Sequence, residues 1–161
     1  MGELKIVDEV PSPSGILEIK YKGTNTFKAM AVAPKVLRAV MKIPGKDLFE
    51  FDVRWDTSVD PREFYGVWMG KRTEDRWTAT KIKIFIQGNQ GVKDKFGYVR
   101  IELRGHLETN YKFSNFIQRS FWWFYNYGFY YGQRRRYLDF ARDNMQELKE
   151  NFQQVLGIAK H

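Results

Sequence analysis

Side chains able to do covalent or acid–base chemistry are scarce in this 161-residue chain, and that scarcity is the first constraint on its function. Histidine occurs only at His106 and His161, and cysteine is absent, which argues against His-based triads, thiolate nucleophiles, His/Cys metal sites and disulfides. The acids concentrate in one run, Glu50, Asp52, Asp56, Asp60 and Glu63. Two carboxylates at a fixed separation can divide acid and base roles. Here Glu50 and Asp52 fall on the polar side of an alternating strand pattern and Asp60-Pro61 has turn chemistry, so a solvated face is the preferred reading. Gly88-Asn89-Gln90-Gly91 has the composition of a hairpin turn rather than a phosphate cradle, because no Gly-rich fingerprint between strand and helix accompanies it. No catalytic residue is assigned, and neither a metal nor a cofactor is expected.

Binding chemistry is better represented. Five Trp, nine Tyr and thirteen Phe are an unusual aromatic load, and the densest run extends from Phe113 to Tyr131, FSNFIQRSFWWFYNYGFYY, with Arg134-Arg135-Arg136 directly after it. Rings clustered so closely must be covered by a sheet, a ligand, a partner or a membrane. Gln118, Arg119, Ser120 and Asn126 interrupt the run short of the roughly 18 apolar residues that a membrane span requires, so no transmembrane segment is expected. Gly128 and Gly132 stand one helical turn apart and mark a bend near residues 128–133.

These side chains need elements to position them. Leu17, Ile19 and Tyr21 alternate with charged residues and predict a half-buried strand, after a short strand over 3–7 and a Pro11-to-Gly15 turn. Thr24 or Asn25 is suited to cap a short helix through Ala33, and Pro34 suits the first turn of a second helix to about Lys42. From Leu48 to Phe113 the period is two, giving antiparallel strands near 48–55, 64–71, 76–87 and 96–107. Leu138, Ala141, Met145, Leu148, Phe152 and Val155 then form one apolar stripe of a long amphipathic helix. The expected fold class is α+β: a curved antiparallel sheet, two short helices after the first strand, and a long C-terminal helix across the sheet, in one domain over residues 1–161.

That order of elements, over residues 15–156, resembles the helix-grip arrangement of the START-like superfamily, which includes lipid-transfer and hormone-binding proteins. The resemblance implies a hydrophobic cavity between the sheet and the C-terminal helix. Trp55, Trp68, Phe124, Tyr127 and Tyr131 are the expected lining, with Arg134 supplying a polar contact to a hydrophobic or aromatic small molecule. Phe49, Phe51, Val53 and Trp55 are expected to share the helix-facing side with Ile82, Ile84, Ile86, Val99, Ile101 and Leu103.

The net charge of +8 arises after Glu63: residues 1–63 carry ten basic and ten acidic groups, 64–112 ten and five, and 113–161 seven and four. On the outer sheet face Trp77, Lys81, Lys83 and Phe85 share one parity, as do Tyr98, Arg100 and Arg104. Rings beside cations make RNA or single-stranded nucleic acid the alternative partner. A third alternative is a homodimer joined through Phe113 to Tyr131. The N-terminal MGELKIVDEV lacks the basic and apolar run of a signal peptide, so a cytoplasmic address is expected.

Overall fold

Alternation of apolar and polar residues organises the structure. The computed structural model describes residues 2–10, 16–113, 120 and 130–158. In order these form β1 (Gly2–Val10), β2 (Ile16–Thr24), α1 (Lys28–Met41), a single 3-10 turn (Gly45–Asp47), β3 (Leu48–Asp56), β4 (Arg62–Thr73), β5 (Thr78–Gln90), β6 (Phe96–Phe113) and α2 (Tyr131–Leu156). One antiparallel sheet contains all six strands in the order β1-β6-β5-β4-β3, and β2 also pairs with β6. The 18-residue β6 takes β1 along its C-terminal half and β2 along its N-terminal half.

Both helices lie on one face. On β5, Ile82, Ile84 and Ile86 point inward, and on β6 Val99, Ile101 and Leu103 do the same. They meet Leu37 and Met41 of α1 and Ala141, Met145, Leu148 and Phe152 of α2 in one buried cluster. Burying a Leu, Ile, Met or Phe side chain contributes about 1.5–3 kcal/mol. The three-residue and four-residue spacing read for the C-terminal helix therefore buries Ala141, Met145, Leu148 and Phe152 as expected, whereas Leu138 and Val155 at its ends are only half-buried and Leu156 takes the last buried position.

Two expectations need correction. The two short helices are one: α1 runs through Pro34 without interruption. An interior proline costs about 3 kcal/mol, but Ala29, Met30 and Ala33 before it and Leu37, Val40 and Met41 after it are all buried along one face. That burial is enough to carry the helix across the lost N–H. Close approach of α1 also explains one glycine in β4, since a Cβ on Gly70 would lie 2.6 Å from Met41 Sδ; a Cβ on Gly66 would run first into the Trp68 ring, 2.6 Å from Cζ3, and then meet Met30 Cε at 3.0 Å.

The second correction concerns β3. Its register with β4 shifts between Glu50 and Asp52, leaving Phe51 as the extra residue of a β-bulge. Phe49 pairs with Met69 on the outer face, whereas Val53 and Trp55 pair with Gly66 and Phe64 on the inner face. The four apolar residues therefore do not share the helix-facing side. β3 is also a sheet edge, and all four remain exposed, from 39% at Phe49 to 55% at Phe51.

Candidate functional site

At the end of the sheet where β3 leaves and β4 enters, aromatic residues from three elements converge. Trp55 closes β3 and stacks on Phe27 at 4.7 Å between ring centroids, and Phe27 meets Phe64 of β4 edge-on at 5.4 Å. Phe27 occupies the N-cap position of α1 and offers no side-chain cap. The first turn is tied to β5 instead: Gln90 Oε1 accepts the Phe27 N–H at 2.9 Å, and Thr26 Oγ1 donates to the Asn89 carbonyl at 2.6 Å. Those two bonds fix the Phe27 ring over the sheet end.

The rings wall a chamber of about 200 Å³, completed by Arg62, Gln90, Gly91, Val92 and Lys95. Arg62 pairs with Gln90 in the inward register, and its guanidinium carbon sits 5.9 Å from the Trp55 ring centroid. Its Nε is buried and has no hydrogen-bond partner. Buried polar groups are nearly always satisfied, so an exception needs a cause. Two cations, one amide and three rings thus surround a small space of mixed polarity.

A second cluster locks α2 to the β4–β5 turn. Asp75 Oδ1 accepts the backbone N–H of Trp77 at 2.8 Å and of Thr78 at 2.9 Å, while Oδ2 accepts the hydroxyls of Tyr130 at 2.6 Å and Tyr137 at 3.0 Å. Burial, reinforced by the Asp75 carboxylate, pushes the Tyr130 phenol well above its usual range and raises Tyr137 as well. These hydroxyls therefore stay protonated and serve as donors. Beside them Arg72 bridges Glu74 Oε1 at 2.7 Å, Asn144 Oδ1 at 2.7 Å and the Met41 carbonyl at 3.1 Å, joining β4 to both helices. The cluster is a clamp in which the Asp75 oxygens and both phenols are satisfied, whereas Arg72 Nη2 is buried without a partner.

The outer sheet face has neither helix upon it. Counting β2 to β5 and β6 as far as Asn110, where the side chains are described, eight Lys or Arg residues share it with six Asp or Glu. Most of the cations expected to meet nucleic acid are engaged in ion pairs or ring contacts: Lys81 with Glu108, Arg100 with Glu18 and Glu102, and Arg104 with Glu102 at 2.9 Å. Lys83 lies over Phe51 at 5.4 Å, and Arg104 over Phe85 at 4.8 Å. Trp77 meets Tyr130 edge-on at 5.2 Å, so its ring reaches the clamp. Burial holds the His106 imidazole below its usual range; Glu108 partly opposes this and Lys81 reinforces it.

Tyr98 and Arg100 line a groove of about 480 Å³. Tyr131 and Arg134 line another, of about 310 Å³, on the surface of α2 with Arg135, Leu138, Asp139 and Arg142. Trp68 is 4% exposed and packed into the core. Phe124 and Tyr127 lie outside the described residues, as does most of the run from Phe113 to Tyr131. Of the expected cavity lining that falls among the described residues, only Trp55 enters the aromatic chamber. Phe27, Arg62, Gln90 and Lys95 were not singled out in advance; the inward parity of Arg62 two residues before Phe64 is the one sequence signal that bears on them. No group of three or more acidic or histidine side chains suited to a metal occurs among the described residues. No described helix is long and apolar enough to cross a membrane.

No family model matches the chain, and no curated protein does. Among solved structures, a protein of unknown function from Staphylococcus aureus, SA2116, is 7% identical, with a TM-score of 0.29 over 88% of this chain and 94% of that one. An uncharacterised protein from Rhizobium leguminosarum is 9% identical, with a TM-score of 0.25 over 93% and 99%. At those scores neither likeness carries weight for fold or function.

Proposed function

We propose that this protein is a non-catalytic binder of a small hydrophobic carboxylate, taken into the chamber of Phe27, Trp55 and Phe64. The observation that carries the reading is the buried, unpartnered Nε of Arg62 beside three aromatic walls. A guanidinium that meets no carboxylate of its own is an acceptor's natural partner, and the charge-assisted pair is about twice as strong as a neutral one. The rings supply apolar burial and Lys95 adds a second positive charge at the wall. A volume of about 200 Å³ restricts the ligand to one ring or a small fused pair. The START-like resemblance points the same way, toward apolar ligands, although it implies a cavity under the C-terminal helix rather than at the end of β3.

The test compares phenylacetate and 2-naphthoate with their neutral amides by calorimetry or ligand-observed NMR. The carboxylates are expected to bind at least about tenfold more tightly, as a charged hydrogen bond of ~1.5–3 kcal/mol requires. Arg62→Gln should abolish that preference, and Trp55→Ala should weaken both classes. Equal affinity for acid and amide, or an Arg62→Gln variant that still prefers the acid, would refute the proposal.

A further inference from the structure

On the opposite side of the same strand segment, two transverse rows of side chains form the 480 Å³ groove. One row reads Arg54, Tyr65, Gln87, Arg100 across β3, β4, β5 and β6, and the next reads Asp56, Glu63, Asn89, Tyr98. The backbone of Gly88 contributes to the lining between them.

Polar groups here behave differently from those on the rest of the face. The neighbouring rows are closed by internal ion pairs such as Arg104 with Glu102. In the groove, the guanidinium ends are held from outside it, Arg54 by Asp52 at 3.1 Å and Arg100 by Glu18 at 3.3 Å and Glu102. Asp56 is occupied by Ser58, whose hydroxyl and N–H hold its carboxyl below the usual carboxylate range. Between them, the Glu63 carboxylate, the Gln87 amide and the hydroxyls of Tyr65 and Tyr98 meet no protein partner among the described residues. These are an acceptor, a group that is both donor and acceptor, and two phenols that line the space.

We propose that this groove is a binding site for a neutral saccharide, separate from the aromatic chamber. Each feature selects against the other ligand classes. Two carboxylates, Asp56 and Glu63, offset the two arginines, so the groove gives a phosphate chain no net attraction even though the protein carries +8. An apolar ligand would strip water from Glu63 and Gln87 without replacing their hydrogen bonds, which costs free energy. Vicinal hydroxyls both donate and accept, so they match a carboxylate beside an amide, and the apolar face of a pyranose ring suits a phenol ring. Tyr65 and Tyr98 stand two strands apart, roughly 10 Å at ordinary sheet spacing. That separation calls for an oligosaccharide rather than a single ring.

The experiment is a two-dimensional amide NMR titration of the whole protein with maltotetraose, cellotetraose and chitotetraose in turn, each to about 10 mM, the range in which weak specific binding saturates. At least one should produce saturable shifts at residues 63–65, 87–89 and 98–100, unchanged when salt is raised tenfold. Tyr98→Ala and Gln87→Ala should each weaken that affinity at least fivefold while the far-UV circular dichroism stays the same. Absence of saturation with all three sugars overturns the proposal, as does an unaltered affinity in both variants. Shifts at the same residues produced instead by oligouridylate, and lost with salt, also overturn it and assign the groove to nucleic acid.

Discussion

Replacing Asp75 with alanine removes four hydrogen bonds at once: two from backbone N–H groups within its own turn and two from the hydroxyls of Tyr130 and Tyr137 on and beside α2. A hydrogen bond to a charged group is worth about 1.5–3 kcal/mol net. The Trp77 amide is regained by water, because Trp77 is half-buried, whereas Thr78 is 2% exposed and its amide is less easily rehydrated. Tyr130 is the costly partner, being 3% exposed, but Thr78 Oγ1 remains beside its hydroxyl and spares it full isolation. Asp75→Ala should therefore cost about 3 kcal/mol, and Tyr130→Phe about half of that. Urea unfolding followed by far-UV circular dichroism measures both. The double variant should fall short of the sum of the singles by about 1 kcal/mol, because the two groups share one interaction. A loss below about 1 kcal/mol for Asp75→Ala, or strict additivity, would refute the clamp as a stabilising unit.

Two further outcomes follow from burial. Because burial lowers the His106 pKa, the unfolded chain binds that proton more readily; its contribution to stability is present above about pH 6.5 and is lost as pH falls through and below that value. Urea unfolding at neutral and mildly acidic pH should show a shallower pH dependence for His106→Gln, and an identical slope would contradict the assignment. Gly70→Ala places a Cβ 2.6 Å from Met41 Sδ and 3.0 Å from Ile43 Cδ1, an overpacking worth about 1–3 kcal/mol of destabilisation. Gly132→Ala meets nothing within 4 Å among the described residues in the first turn of α2 and should stabilise by up to about 1 kcal/mol, so thermal midpoints moving the other way would invert this account.

Features carried by a local period were legible in the sequence. Ile82, Ile84 and Ile86, Val99, Ile101 and Leu103, and the Ala141-to-Phe152 stripe each announce the face that they bury. The bulge at Phe51 was not legible, because a two-against-one pairing leaves no trace in a strand whose own alternation is unbroken. Pro34 reads as a helix start, and only the buried residues on both sides of it reveal a single helix. The clamp and the chamber escaped for another reason: Asp75 and Tyr130 stand 55 positions apart, and Phe27 and Gln90 stand 63 apart. Such partners are joined by register and helix docking, which residue types alone do not specify. The parity of Lys81, Lys83, Arg100 and Arg104 was legible, but their partners were not weighed with them, although Glu18, Glu102 and Glu108 fall on the same parity.

Along β6 the pairing passes from Gly105 to Arg104 without a gap, while on the other side the chain goes from Val10 to Ile16. The sheet thus counts β1 and β2 as one continuous edge, and each is held to β6 by its own ladder of pairs. A change of one residue within β2 would turn Ile19 from the core to solvent while leaving the β1 ladder as it is.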